Sequence, residues 1–350
     1  MKTRSKSLAL LASFTLLAVA GCSVIDQKES ASGESGANAQ NEKTVTILTH
    51  DSFALDEADI ADFEQESGYQ LKTVSAGDGT VINNLRLKKD APVVDGFYGI
   101  DNFTVSEVLA EDLADTLDPA VEPAELMIDG KLAAIDQGDV CLNVDSQWFA
   151  EKGLAAPADF DDLLKPEYKN LTVLTDPVSS TPGLAFLVGT IAKYGTDGWQ
   201  DYWQKLFANG VKIDAGWSDA YYQDFSGADG KGAYPIVLSY ASSPAESQGQ
   251  TASVDATCVE QFEYAGVVKH AQNPAGARAF IDFLLSEQVQ ASLPTQMYVY
   301  PVRENVQLPQ DWAKYAQRAE NPIRVDAEQV AQNREAWLNE FTELYQTATK

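Results

Sequence analysis

The sequence predicts an α/β fold built as two lobes with a ligand cleft between them. Three observations carry that expectation. From residue 43 onward, β-branched apolar runs alternate with segments whose apolar residues recur at helical spacing, the pattern of strands covered by helices. The alternation runs through two consecutive sets and ends in a helical return, which implies two lobes. The chain has 350 residues, about two domains' worth, and its 45% hydrophobic and 10% aromatic content excludes disorder throughout.

The first set opens with the strand Lys43 to Thr49 (KTVTILT), then a helix from Glu57 to Glu66 with Ile60 and Phe63 on one face. A strand at Tyr69 to Val74, a helix at Thr80 to Lys88 and a strand at Pro92 to Tyr98 (PVVDGFY) complete an α/β unit with parallel strands. The second set starts near Val140 with the strand VCLNV. A short helix around Phe160 to Leu164, a strand at Leu171 to Thr175 and a helix from Gly183 to Tyr194 follow.

A helix from Trp199 to Phe207 places Trp199, Tyr202, Trp203 and Phe207 at helical spacing, which assigns them to a core. Strands are expected at Val211 to Ala215, Ile236 to Tyr240 (IVLSY) and Tyr264 to Val268. The return consists of helices at Pro274 to Ser286 and Ala327 to Thr347. This map places residues 43–138 with 262–350 in the first lobe and 139–261 in the second, with crossings near 138 and 262.

Residues 1–21 read as a signal peptide. Lys2, Arg4 and Lys6 precede an apolar run, Leu8 to Ala20, that is too short to span a bilayer comfortably. The segment ends Val19-Ala20-Gly21-Cys22, which resembles the bacterial lipobox, and that resemblance makes Cys22 a lipidated mature N-terminus. Residues 22–42, rich in Ser, Gly, Ala and Glu, form a flexible tether. The expectation is an exported protein held at the outer face of the cell membrane by lipid alone.

Export also bears on Cys141 and Cys258. An even pair in an oxidising space predicts a disulfide, with two buried thiols as the alternative. A bridge there would hold the paired crossing segments in register.

The 52 acidic against 25 basic residues give a net charge of −27, which excludes nucleic acid as a partner and favours cationic ligands wherever a pocket exists. Two histidines, His50 and His270, leave little for a His-rich metal site or a His-dependent triad. No nucleophile elbow, zinc-protease, Walker or dinucleotide motif occurs, so binding is favoured over catalysis, with no cofactor and no metal expected.

Four segments are candidates for a site. Asp176 to Gly183 brings Ser180 and Thr181 to a helix start, where hydroxyls and free N–H groups hold a polar or anionic group or merely cap the helix. Gly216 to Tyr222 sets Trp217, Tyr221 and Tyr222 on a loop, a placement that marks binding more than folding. Tyr240-Ala241-Ser242-Ser243 follows the strand IVLSY, and Ala76 to Thr80, with Asp78 and Gly79, follows the second strand. Carboxyl ends of strands line the crevice of an open α/β sheet, so these segments converge on a site suited to a flat aromatic cation.

These same residues carry a resemblance. Over nearly all of residues 43–345 the sequence resembles the thiamine-binding solute receptors of bacterial ATP-binding cassette importers, a branch of the two-lobed periplasmic binding proteins. The matching motifs are His50-Asp51-Ser52-Phe53, Asp78-Gly79, Gly99-Ile100-Asp101-Asn102, Asp176-Pro177 with Ser180-Thr181-Pro182-Gly183, GWSDAY from Gly216, LSYASSP from Leu238 and Tyr300-Pro301-Val302.

The resemblance implies a type II periplasmic-binding-protein fold, no enzymatic activity, and delivery of thiamine or its phosphates to an importer permease by a monomeric receptor. It implies ligand contacts at Asp78, Gly79, Ser180, Thr181, Trp217 and Tyr240 to Ser243. The sequence departs from the family at three positions: members carry aromatics where this chain has His50 and Glu246, and a Trp near Tyr298. His50 and Tyr298 are still expected at the site, with Tyr221 from the aromatic loop, while flat surface is lost at His50 and Glu246 and a carboxylate at Glu246 is offered to the thiazolium charge instead. The competing expectations are a receptor for ferric iron, through Tyr221, Tyr222 and Tyr240, or for a polyamine, and an extracellular hydrolase.

Overall fold

The computed structural model describes residues 43–76, 81–118 and 121–350. The signal segment, Cys22, the tether, Asp78 and Gly79 lie outside the described residues.

Two sheets form the frame. The first contains β1 (Thr44–Thr49), β2 (Gln70–Ser75), β3 (Gly96–Asp101), β4 (Met127–Ile128), β5 (Leu132–Gln137), β11 (Phe262–Val267) and β12 (Tyr300–Pro301), in the order β12-β5-β11-β3-β1-β2 with β4 beside β5. The second contains β6 (Val140–Asp145), β7 (Thr172–Thr175), β8 (Lys212–Asp214), β9 (Ile236–Tyr240) and β10 (Thr251–Ser253), ordered β10-β6-β9-β7-β8. β1 runs parallel to both β2 and β3, as the alternating pattern predicts. The strands that carry the chain across, β5, β6 and β11, pair antiparallel with their neighbours, so both sheets are mixed.

The longer helices are α1 (Glu57–Ser67), α2 (Val81–Leu87), α3 (Val105–Ala110), α4 (Ser146–Lys152), α5 (Thr181–Tyr194), α6 (Trp199–Ala208), α7 (Pro274–Leu284), α8 (Glu287–Gln296), α9 (Gln310–Tyr315) and α10 (Ala327–Ala348). Short helical turns also form at Trp217–Asp219, Ala220–Asp224 and Ser243–Glu246, so the aromatic segment expected as a loop is coiled into turns. Among the described residues no helix is long and apolar enough to cross a membrane.

Several boundaries differ from the sequence reading for local reasons. The third strand begins at Gly96, not Pro92; just before it the Asp95 carboxylate accepts from Thr46 N at 2.9 Å and Asn273 N at 2.8 Å, tying the strand's entry to β1 and to the start of the return. Between residues 99 and 138 the sequence reading places no helix or strand, yet α3 and the fully buried β5 lie there. The short helix near Phe160 is a 3₁₀ turn over Asp161–Leu164.

The return is divided between the two halves. α7 packs its apolar face on the first sheet, through Ala277, Phe280, Ile281 and Leu284. α10, placed with the first lobe by the sequence map, packs instead on the core of the second sheet. Val330, Trp337 and Phe341 join Trp199, Trp203 and Leu206 of α6, and Phe341 meets Trp203 edge-on at 4.8 Å. The cause is a third passage of the chain: Arg303 still bonds the first-half carbonyls of Leu285 and Glu122, whereas Trp312 and Ala316 already pack on the second half. Arg334 of α10 reaches back to Glu107 of α3 at 2.6 Å, tying the two halves together on the side of α3.

A disulfide joins Cys141 on β6 to Cys258 beside the second crossing. The segments it links are paired by reciprocal backbone bonds between Val140 and Val259 at 2.9 and 2.8 Å.

Candidate functional site

The ends of the strands set the site. Where β1 stops, the chain delivers His50, Asp51 and Ser52; β3 delivers Tyr98 and Gly99; β5 and the first crossing deliver Asp136 and Gly138. From the other half come Thr181 at the start of α5, Trp217 and Tyr222 after β8, and Tyr240, Ser243 and Glu246 at the end of β9. With Gln261, Glu263, Tyr298 and Val299 near the crossings, these line a cavity of about 330 Å³ between the two sheets. This is the crevice at the carboxyl edges of the strands that an open α/β sheet provides for ligands.

Two glycines make the walls possible. Gly99 sits at φ 99°, and a Cβ there would lie 2.5 Å from Cδ2 of His50, so only glycine lets that imidazole reach the wall. At Gly183 a Cβ would lie 2.5 Å from the Thr175 carbonyl oxygen, which fixes the close approach of α5 to β7.

The second-half wall is aromatic. Trp217 stacks on Tyr221 with centroids 4.9 Å apart and planes 19° from parallel, meets Tyr222 edge-on at 5.3 Å, and lies 6.2 Å from Tyr240. Its Nε1 donates to Ser239 Oγ at 2.8 Å, and Ser239 shares a hydrogen bond with Ser243, so the indole is held from two sides. Tyr222 donates to Glu246 at 2.9 Å. Burial raises the pKa of Glu246 against the lowering effect of hydrogen bonds from Tyr222 and Tyr221.

The first-half wall is acidic. The Tyr98 hydroxyl sits between two carboxylates, 2.5 Å from Asp136 Oδ2 and 2.8 Å from Glu263 Oε2, and His50 Nε2 lies 3.4 Å from the same Glu263 oxygen. Burial, then the charge of Glu263, pushes Asp136 well above the usual carboxylate range. Burial also works against the ionised form of Glu263, but attraction to His50 and hydrogen bonds from His50 and Tyr98 hold it below its ordinary value. Asp51, Asp136, Glu246 and Glu263 line the cavity, while among the described residues neither Lys nor Arg does. Such a lining attracts a cation and repels an anion.

Of the residues expected from the sequence, His50, Thr181, Trp217, Tyr240, Ser243 and Tyr298 line the cavity. Four others stand behind it. Ser180 is buried and donates to Thr175 Oγ1 at 3.1 Å; it occupies the N-cap position of α5 without a side-chain capping bond. Tyr221 is fully buried beneath Trp217, and Ala241 is buried beside the disulfide. Ser242 donates to the Tyr298 carbonyl at 2.5 Å and so positions a residue held at φ 54°, an uncommon conformation for an aromatic. Tyr298 in turn stacks on Trp312 at 6.3 Å.

Sequence reasoning missed Tyr98, Asp136 and Glu263. A signal was present in each case, a carboxylate or phenol embedded in an otherwise apolar strand run (GFYGID, LAAIDQ, FEYAGV), where burying a charge is costly unless it is used.

Comparison with known proteins agrees with this architecture. The family described as bacterial extracellular solute-binding protein matches residues 95–327. The thiamine-binding periplasmic protein of Salmonella typhimurium (strain LT2) is 30% identical over 314 residues, covering 85% of this chain and 92% of its own. A solved structure of a periplasmic thiamin binding protein superposes with a TM-score of 0.75 at 27% identity, over 86% of this chain and 96% of its own. Iron-bound HitA from Pseudomonas aeruginosa, 18% identical with a TM-score of 0.67 over 86% of this chain and 99% of its own, shares the fold. Two mixed sheets facing each other across a lined cavity, in a chain matched over most of its length by these receptors, place the protein in the bacterial extracellular solute-binding protein family.

Proposed function

We propose that this protein is an extracytoplasmic receptor that captures thiamine in the cavity between its sheets and hands it to an ATP-binding cassette importer, without catalysis. The observation that carries the reading is the pairing of an aromatic wall at Trp217, Tyr222 and Tyr240 with carboxylates at Asp51, Glu246 and Glu263, in a lining that holds neither Lys nor Arg among the described residues. Thiamine presents a flat aminopyrimidine and a permanently positive thiazolium. Stacking and cation–π contact, at about 0.5–2 kcal/mol each, meet the rings while the carboxylates meet the charge. The thiamine-binding relatives support the same ligand.

The reading extends to parts of the chain beyond the described residues: Asp78 and Gly79 complete the ligand contacts, and a lipid on Cys22 anchors a monomeric receptor. The lobes, 43–138 with the return through 302 and 139–261 with α10, close about the crossings near 138 and 262. Thiamine is favoured over its phosphates because, among the described residues, the cavity offers several carboxylates and neither Lys nor Arg, and its one histidine, His50, already faces Glu263.

The rival ligands fit less well. An iron site would use Tyr221, Tyr222 and Tyr240, but Tyr221 is fully buried under Trp217 and Tyr222 is engaged by Glu246. A glycoside hydrolase needs carboxylates flanking the scissile bond, whereas Asp136 and Glu263 share one wall and one phenol.

Tryptophan fluorescence titration with thiamine, its mono- and diphosphate, spermidine and ferric citrate tests the reading. Thiamine is expected to give the tightest saturable response, and a preference for spermidine or a visible tyrosinate colour with iron would replace it. Glu246→Gln is expected to weaken thiamine binding about fivefold, ~1 kcal/mol for one charge at a half-buried rim. Unchanged affinity would show that this carboxylate does not meet the thiazolium.

A further inference from the structure

The first-half wall contains a hydrogen-bond arrangement that only one protonation pattern satisfies. The Tyr98 hydroxyl lies within hydrogen-bond distance of both Asp136 Oδ2 and Glu263 Oε2. A phenol has one proton to donate, so it can serve only one of two ionised carboxylates. The other would face the phenol oxygen lone pair to lone pair in a buried site, a costly contact. One extra proton resolves the conflict: a neutral carboxyl donates to Tyr98, which donates to the second carboxylate.

The surroundings say which carboxyl is neutral. Asp136 is fully buried and its Oδ1 has no hydrogen-bond partner. Glu263 keeps 13% of its side chain exposed and faces His50 at 3.4 Å. The other elements packed here add no balancing cation: Asp101 on β3 lies opposite Glu263, Pro301 on β12 lies opposite Asp136, and Gln290 of α8 donates to the neighbouring Ile135 carbonyl. Burial raising Asp136 and His50 holding Glu263 down point the same way.

We propose that Asp136 and Glu263 hold one proton between them in the ligand-free cavity, on Asp136, and that this proton leaves to solvent when the positive end of the ligand docks against Glu263. The step is an exchange of one positive charge for another and makes or breaks no covalent bond in the ligand. Once the ligand engages Glu263, the Tyr98 proton is free to serve Asp136, which then ionises. Asp136 and Tyr98 are positioning residues; Glu263 meets the ligand. The ligand part of the proposal rests on the cation-receptor reading above, whereas the shared proton does not.

The sign follows from linkage. Binding that releases a proton strengthens as pH rises, over the interval between the pKa of Asp136 in the complex and its higher value in the empty cavity, and is flat above that interval. Two measurements test the proposal. Infrared spectroscopy of the ligand-free protein at neutral pH should show the carbonyl stretch of an un-ionised carboxyl, absent from Asp136→Asn. Calorimetry with thiamine in buffers of different ionisation enthalpy should show a net release approaching one proton for the native chain. Asp136→Asn, whose amide donates to Tyr98 as the neutral carboxyl does, should bind several-fold more weakly with no buffer-dependent heat.

Absence of the un-ionised carboxyl band in the native protein overturns the proposal. So does undiminished proton release from Asp136→Asn. If the band is present but thiamine gives no heat, the shared proton stands and thiamine is the wrong ligand; spermidine then serves as the probe cation in the same two buffers, and absence of proton release with a cation that does bind overturns the exchange.

Discussion

Replacing Trp217 by alanine is expected to lower thiamine affinity at least about tenfold, ~1.4 kcal/mol or more, in a protein that still folds. The loss follows from the role proposed for the indole, an aromatic face offered to the ligand rings; in the structure it lines the cavity and is oriented from behind by Tyr221 and at its edge by Ser239. Folding should survive because Trp217 packs only from the side against the small cluster of Val173, Ala220, Tyr221, Phe225 and Val237, while the large cores lie elsewhere. Residual binding is expected, since truncation uncovers Tyr221, a second aromatic plane. Calorimetry with near-ultraviolet circular dichroism checks both halves, and native affinity in a folded variant would remove Trp217 from the site.

The second large effect is on stability. Removing the disulfide in a Cys141→Ala/Cys258→Ala variant is expected to cost about 2–5 kcal/mol, because a link spanning a sequence separation of 117 residues restricts the unfolded chain strongly. The folded state should change little: the sulfurs pack among Ala241, Trp312, Ala316 and Ala319, and the Val140–Val259 pairing persists without them. Urea denaturation of the oxidised, reduced and double-alanine proteins measures the difference. Coincident midpoints would mean that the backbone pairing alone carries this junction.

Much of the frame was legible because its strands are short β-branched runs bounded by turn residues. IVLSY became β9 with the expected ends, and the helical spacing of Trp199, Tyr202 and Trp203 correctly marked a core. β5 was not legible. LAAIDQ has one β-branched residue and an acid, and it is a strand because β11 and β12 flank it, a tertiary cause that local pattern does not contain. The destination of α10 was hidden for a related reason, since an amphipathic helix announces that it packs but not on what.

The two walls of the site differ in the same way. The aromatic wall comes largely from two stretches, Trp217 to Tyr222 and Tyr240 to Glu246, so composition alone drew attention to it. The acidic wall joins Tyr98 to partners 38 and 165 residues away, and no local feature relates them. Ser180, Tyr221, Ala241 and Ser242 were found in the right segments but on the buried side. Motif matching locates a segment at the cavity without stating which of its side chains turn inward.

The central claim is that the cavity takes thiamine. Titration calorimetry of the mature chain with thiamine tests it most directly, with Trp217→Ala run alongside. The account predicts saturable one-to-one binding at submicromolar concentration that the variant weakens at least about tenfold. No saturable heat with thiamine, or equal affinity in the native and variant proteins, would contradict it.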